Sequence, residues 1–309
     1  MSTVAARRER IEAVAFDYSS QDARPVSACN LCGGHDFVAL THRDRYGYPA
    51  EADGCLACGL VFLNPVMTAE AYRRFYAGTY RPLVSAYHGR LIDARTIQAE
   101  QRDYAQERGD LLEPWLMADA LSTLLDIGGS TGVVAHALAT RFRLRAAVLD
   151  PSPLEVDQAR QLGLETIEGL IEDFDARGRR FDVVTLCQTI DHLLDVSGTL
   201  RRVRGLLPSH GLLFVDIVDF RAGYLRNWSV EEVVKVDHPY YLTESSMFAL
   251  LRRTGFQVLR KDYAVDHLHI SYVCRGADPV AEFMPEPGDV SALWREIRTV
   301  QNAPRCALP

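Results

Sequence analysis

The chain of 309 residues is 48% hydrophobic and 24% charged, with a formal net charge of −7. That composition fits a globular protein with material for one large or two smaller domains, and the negative balance excludes a general attraction to nucleic acid or anionic lipid. No apolar run is long enough to span a bilayer, and the Arg-rich stretch Met1 to Arg10 precedes no apolar core, so a cytoplasmic location without membrane contact is expected.

Residues 1–26 read as a polar N-terminal arm, with one amphipathic helix predicted around Ile11 to Phe16. Residues 27–66 form a cysteine module, Cys29-x-x-Cys32 and Cys55-x-x-Cys58, with 22 residues between the pairs. Without an export signal, paired knuckles point to a metal rather than to disulfides. Four thiolates suit tetrahedral Zn2+ in a closed, structural site, and so short a module cannot bury enough apolar surface to fold without one. A strand is predicted over Phe37 to Thr41 and a second, short one before Cys55. Arg43 and Arg45 face Asp36, Asp44, Glu51 and Asp53 in the same stretch, which makes no phosphate-binding surface.

Residues 67–121 read as a helical linker or lid. Thr68 caps a short helix whose Tyr72, Phe75 and Tyr76 fall at helical spacing. This aromatic stripe either packs between domains or sends a tyrosine hydroxyl, Tyr76 among the candidates, into a pocket. A long helix is predicted from Arg90 to Arg108, a break at Gly109, and a second helix from Trp115 to Leu121.

Residues 122–276 alternate strand and helix, the pattern of an α/β, Rossmann-like, doubly wound sheet. The strand Leu124–Ile127 runs into Gly128-Gly129-Ser130-Thr131-Gly132, where a helix begins. A turn of this kind lets the backbone approach a ligand and presents unpaired helix N–H groups to it. Asp126 precedes it, and the order Asp-x-Gly-x-x-x-Gly is not the dinucleotide fingerprint G-x-G-x-x-G. The second strand ends in Asp150-Pro151, where a carboxylate can accept hydrogen bonds from ribose hydroxyls. Asp173-Phe174, after the third strand, suit an adenine ring, and Cys187-Gln188 end the fourth. In such sheets ligands sit beyond the carboxyl ends of the strands, which makes these residues one candidate set. Residues 277–309 read as a packing tail with one short helix near Ala292–Val300.

In order and spacing these motifs resemble the class I S-adenosylmethionine (SAM)-dependent methyltransferases. The resemblance implies SAM held by Asp126, Gly128, Gly129, Ser130, Gly132, Asp150, Pro151, Asp173, Phe174, Cys187 and Gln188. With the four-cysteine module, the chain further resembles the nucleotide-sugar C-methyltransferases and their shorter relatives in polysaccharide or natural-product pathways. In those enzymes a Tyr-x-Glu-His run helps deprotonate the substrate carbon. Here Lys235-Val236-Asp237-His238 occupies that place: His238 and Asp237 match and Lys235 replaces the tyrosine, and no counterpart of the family's further large C-terminal domain is expected. His238 is therefore the first candidate base, oriented by Asp237 or another acid. His192, in Asp191-His192, is the second, and Tyr76 is a candidate substrate contact. Histidine suits the task because its pKa lies near neutrality. A small-molecule acceptor is expected and no nucleic acid. An RNA methyltransferase with a zinc recognition module, and a non-catalytic zinc-ribbon binding protein, stand as alternatives; oligomeric state has no signal in the sequence.

Overall fold

The computed structural model describes residues 3–117 and 121–303. The N-terminal part runs through α1 (Thr3–Glu12), β1 (Ala23–Arg24), β2 (Phe37–Thr41), β3 (Ala52–Cys55), β4 (Val61–Leu63) and β5 (Val66–Met67). Helices α2 (Ala69–Arg74) and α3 (Tyr80–His88), joined by a π-helical turn over Phe75–Thr79, precede the long α4 (Ala94–Leu116). Strands and helices then alternate: β6 (Thr123–Ile127), α5 (Val133–Phe142), β7 (Arg145–Asp150), α6 (Pro153–Gln161), β8 (Glu165–Glu168), β9 (Val183–Leu186), α7 (Val196–Leu206) and β10 (Leu212–Val218). The chain closes with α8 (Phe220–Asn227), β11 (Tyr240–Tyr241), α9 (Glu244–Arg253), β12 (Phe256–Tyr263), β13 (His269–Gly276) and α10 (Pro287–Asn302).

The main sheet has seven strands in the order β12-β13-β10-β9-β6-β7-β8. Its β10-β9-β6-β7-β8 part is parallel, and β13 and β12 are added antiparallel. The central strands read as continuous apolar runs because helices cover both faces, and Val183, Val184, Leu212, Leu213 and Phe214 are fully buried. Three polar residues interrupt those runs. Thr185 donates to Asp126 Oδ1 at 2.6 Å. Asp216, buried in β10, accepts from Tyr104 Oη at 2.6 Å and from Arg108 Nη2 at 2.9 Å, both on α4. Removing one partner of a buried ion pair strands the other charge, so Arg108→Ala is expected to cost about 3–5 kcal/mol, read as a lowered denaturation midpoint.

A second sheet, ordered β11-β4-β3-β2, carries the cysteine module. Its fourth strand comes from the far end of the chain, with Tyr240 opposite Phe62 and Tyr241 opposite Val61. Helix α10 covers the same sheet: a Cβ at Gly54 would lie 2.3 Å from the Trp294 ring, so only glycine lets that indole seat. The tail helix expected near residues 292–300 is thus longer, Pro287–Asn302, and packs on the module.

Two further expectations are corrected. The N-terminal helix lies over Thr3–Glu12 rather than around Ile11 to Phe16. The predicted break at Gly109 does not occur, and α4 runs on through Gly109 and Pro114. Packing against α5 overrides the weak helix propensity of glycine there: a Cβ at Gly109 would meet Arg141 Nη1 at 2.9 Å. The second helix expected from Trp115 to Leu121 falls partly on residues 118–120, outside the described residues. Among the described residues, no helix is long and apolar enough to cross a membrane.

Candidate active site

Strand order reverses around β6, where β9 and β7 flank it, and a cavity of about 260 Å³ opens beyond the carboxyl ends of these strands. One half is walled by Gly128, Ser130, Asp150, Pro151, Ser152, Leu170 and Cys187. The other half is walled by Tyr76, Tyr80, Gln101, His192, Lys235 and His238.

The first half is shaped by the turn after β6. Gly128 has φ +65° and a Cβ there would lie 2.3 Å from Thr189, while a Cβ at Gly129 would lie 2.6 Å from Asp126 Oδ2. Ser130 and Gln188, both on the rim, hold left-handed conformations (φ 51° each) that non-glycine residues rarely adopt. Each is fixed through its backbone by a buried aspartate. Ser130 N–H donates to Asp150 Oδ2 at 2.9 Å, and Gln188 N–H donates to Asp216 Oδ1 at 2.5 Å. Burial, with Glu155 beside it, pushes Asp150 up to about 7. Burial pushes Asp126 up to about 7 as well, and its Oδ2 has no hydrogen-bond partner among the described residues. A buried carboxylate on the cavity wall at the end of β7 fits a ligand that brings hydroxyl donors, as the ribose of SAM does. Arg81 of α3 reaches this wall, pairing with Glu155 and approaching Ser130 Oγ at 3.4 Å.

Not every expected residue reaches the cavity. Asp126, Gly129 and Gly132 support the turn from behind; Gly132 starts α5, with a Cβ position 2.9 Å from Ala159. Asp173 and Phe174 do not line the cavity. A tight helical turn over Ile171–Asp173 aims Ile171 inward and leaves Asp173, 57% exposed, paired with Arg73, while Phe174 is half-buried against the core. Leu170, Ile171 and Glu172 stand where that pair was expected. Burial raises the Cys187 thiol well above its ordinary range, which suits a wall contact and not a nucleophile.

The second half brings two Asp-His dipeptides together from distant parts of the chain. His238 Nδ1 lies 2.9 Å from Asp191 Oδ2, and His192 packs edge-on against His238 with ring centroids 4.4 Å apart. Asp237, expected to orient its neighbour, is 3.5 Å from His238 Nε2, so Asp191 is the closer partner. Burial alone would raise Asp191, but the charge and hydrogen bond of His238 outweigh it and hold the carboxylate well below the ordinary range. Tyr76 Oη is 2.9 Å from His192 Nδ1 and donates to the Asp237 carbonyl at 3.2 Å. Burial pushes His192 down to about 4, leaving it neutral at physiological pH and a weak base. Within the aromatic stripe, Tyr72 is core and Tyr76 is cavity wall. Sequence reasoning did not single out Asp191 as the partner of His238, nor Arg81 and Glu155; only Asp191 had a signal, in its place next to His192.

The knuckle cysteines converge as well. Cys29 Sγ and Cys58 Sγ are 3.5 Å apart, Cys32 Sγ and Cys55 Sγ are 3.5 Å apart, and all four sulfurs lie within 4.8 Å of one another. Four thiolates about 2.3 Å from a tetrahedral zinc would stand roughly 3.8 Å apart, so the set fits that ion. Asp191, His192 and His238 also gather closely, but the Lys235 Nζ sits 3.0 Å from His238 Nε2, putting an amine where a metal would have to bind.

A family model described as "Methyltransferase domain" matches residues 97–261, just over half of the chain. The chain belongs to this methyltransferase-domain family. It carries a SAM-dependent methyltransferase domain on the α/β sheet that the alternation of elements predicts. Among curated proteins, the ubiquinone biosynthesis O-methyltransferase of Methylocella silvestris is 31% identical over 97 residues, covering 29% of this chain and 38% of that protein. The protein of the same name from Cereibacter sphaeroides is 30% identical over 149 residues, covering 43% of this chain and 59% of that protein. The chain thus spans about two-fifths to three-fifths of the length of these relatives. The solved magnesium protoporphyrin IX methyltransferase of Synechocystis PCC 6803, with SAH bound, shares the fold at a TM-score of 0.52 and 13% identity, over 68% of this chain and 100% of that one.

Proposed function

We propose that this protein transfers a methyl group from SAM to a small-molecule acceptor, with the buried Asp191–His238 pair assisting removal of the acceptor's proton. The observation that carries this reading is the divided cavity, cofactor-type residues in one half and a buried acid–base cluster in the other. SAM supplies a methyl group already activated on a sulfonium. The chain's residues have two tasks: to hold the acceptor in line, and to take up one proton. Ser130, Asp150 and the glycine turn would hold the cofactor, Tyr76 and Tyr80 would bind acceptor hydroxyls, and Asp191 would stabilise the imidazolium of His238.

A nucleotide sugar or related polysaccharide or natural-product intermediate is the acceptor class we favour, supported by the Asp237-His238 match and the cysteine module. A hydroxylated aromatic ring, suggested by the names of the relatives, is the second reading. We also infer that Cys29, Cys32, Cys55 and Cys58 hold a structural zinc. Calorimetric titration with SAM, and separately with NADH, tests the cofactor. Asp150→Ala is expected to weaken SAM binding by about 10- to 100-fold, the worth of one charge-assisted hydrogen bond; no SAM binding by the unaltered chain would sink the proposal. Nucleotide sugars and dihydroxybenzoates, offered in parallel, then separate the two acceptor classes.

A pH dependence follows. Ribose hydroxyls donate to the ionised form of Asp150, so SAM affinity should fall as pH drops below about 7. Calorimetry in buffers of different ionisation enthalpy should show proton release on binding near that pH; a pH-independent affinity between 5.5 and 8, roughly the span on either side of that value, would contradict it.

A further inference from the structure

Both ring nitrogens of His238 are engaged: Nδ1 by Asp191 at 2.9 Å and Nε2 by the Lys235 Nζ at 3.0 Å. With the proton on Nδ1 donated to the carboxylate, Nε2 has only its lone pair, and Lys235 donates to it. The imidazole therefore shows no open nitrogen to an acceptor. Lys235 itself lines the cavity.

The choice of residue is informative. Of 34 basic residues in the chain only two are lysines, Lys235 and Lys261, and the rest are arginines. Arginine cannot give up its proton in a protein, whereas lysine can when desolvated. Where a fixed cation would serve, this chain places arginine, yet it has a titratable amine in the cavity. Lys261, by contrast, is paired with Glu244 on the surface.

We propose that Lys235 is the group that receives the acceptor's proton, with His238 and Asp191 behind it as a relay; this rests on the methyl-transfer reading above. A neutral amine can donate one N–H to His238 Nε2 while its lone pair faces the cavity. The acceptor's proton moves to that lone pair, and the electrons of the broken bond stay on the acceptor to form the bond to the methyl group. The amine becomes an ammonium, so the positive charge that arrived on the sulfonium ends on Lys235, with His238 Nε2 at 3.0 Å as the nearest acceptor for the proton. The charged groups facing Lys235 are Asp237, Asp191 and Arg45, with His192, His238 and His88 nearby. Burial is the largest influence and lowers the amine's pKa, and Arg45 acts in the same direction; the two aspartates oppose them without cancelling the effect. Sign follows from this: the working form is the unprotonated one, so proton uptake strengthens as pH rises through the lowered midpoint.

Two lysines make the test clean. Full-length, zinc-loaded protein carrying 13Cε-lysine should give two ε-methylene signals, and Lys235→Arg should remove one and identify it. The Lys235 signal is expected to titrate below Lys261 and below the ordinary lysine value, and benzaldehyde with cyanoborohydride at neutral pH should alkylate Lys235 in preference to Lys261. Titration of both signals at ordinary lysine values would overturn the proposal and make Lys235 a permanent cation. That result would leave SAM binding and its loss in Asp150→Ala untouched, so failure of the relay is distinguishable from failure of the methyltransferase reading.

Discussion

Replacing His238 with alanine is expected to slow methyl transfer by about 10²- to 10⁴-fold, the usual worth of a positioned acid–base group. SAM affinity should stay near that of the unaltered chain, since the cofactor wall is built from other residues. The check is a single-turnover rate, with an acceptor drawn from the sugar and aromatic panels, beside a calorimetric SAM titration. Asp191→Asn should reproduce most of the loss, because a neutral amide cannot stabilise positive charge arriving on the His238 ring, which Asp191 contacts at 2.9 Å. Residues that act as one unit are strongly non-additive, so the double variant should be little slower than His238→Ala alone. Additive losses would mean that Asp191 and His238 serve separate purposes, and an unchanged rate in His238→Ala would remove the pair from the mechanism.

Stripping the zinc proposed for the knuckle should do comparable damage by another route. Binding of structural zinc to four-ligand sites is worth roughly 10–16 kcal/mol, so Cys55→Ser or strong chelation should unravel the sheet that holds β11. Three contacts from the N-terminal part fix the segment before it. Val236 N–H donates to Asp44 Oδ2 at 3.1 Å, Tyr72 Oη donates to the Val236 carbonyl at 2.9 Å, and Arg45 N–H donates to the Val234 carbonyl at 2.9 Å. Asp44 is buried and also accepts from the Tyr46 and Tyr48 amides at 3.0 and 2.9 Å. Metal loss should therefore free residues 234–241 and with them Lys235 and His238, while the turn after β6 persists. The expected signature is loss of turnover with most of the SAM affinity retained, and faster amide exchange confined to 234–241 and the knuckle. Full turnover by metal-free protein would disconnect the two.

The main sheet was legible because central parallel strands are apolar throughout and end in polar turns, a pattern that survives without tertiary information. The cysteine pairs and the Gly128–Gly132 turn were legible for a similar reason, since their chemistry is set by spacing within a few residues. What could not be read was convergence. Asp191 stood in plain view beside His192, but nothing local says that it faces His238 rather than its own neighbour. Asp173 looked well placed by its position after a strand, yet one tight turn rotated it to solvent and put Ile171 inside. The continuity of α4 through Gly109 was hidden because its cause lies on α5, in the approach of Arg141.

The pairing of Tyr240 with Phe62 also sets an order of events at the ribosome. The knuckle emerges early and can take up its ion, but its fourth strand lies about 180 residues downstream. At 5–20 residues per second that is a wait on the order of 10–40 s, during which Val61-Phe62-Leu63 presents an apolar, unpaired edge. A nascent chain released before Tyr240 should therefore self-associate along that edge, measurable by sedimentation of a version ending at residue 234. Premature termination after the knuckle and before Tyr240 would then yield clumped rather than merely inactive product.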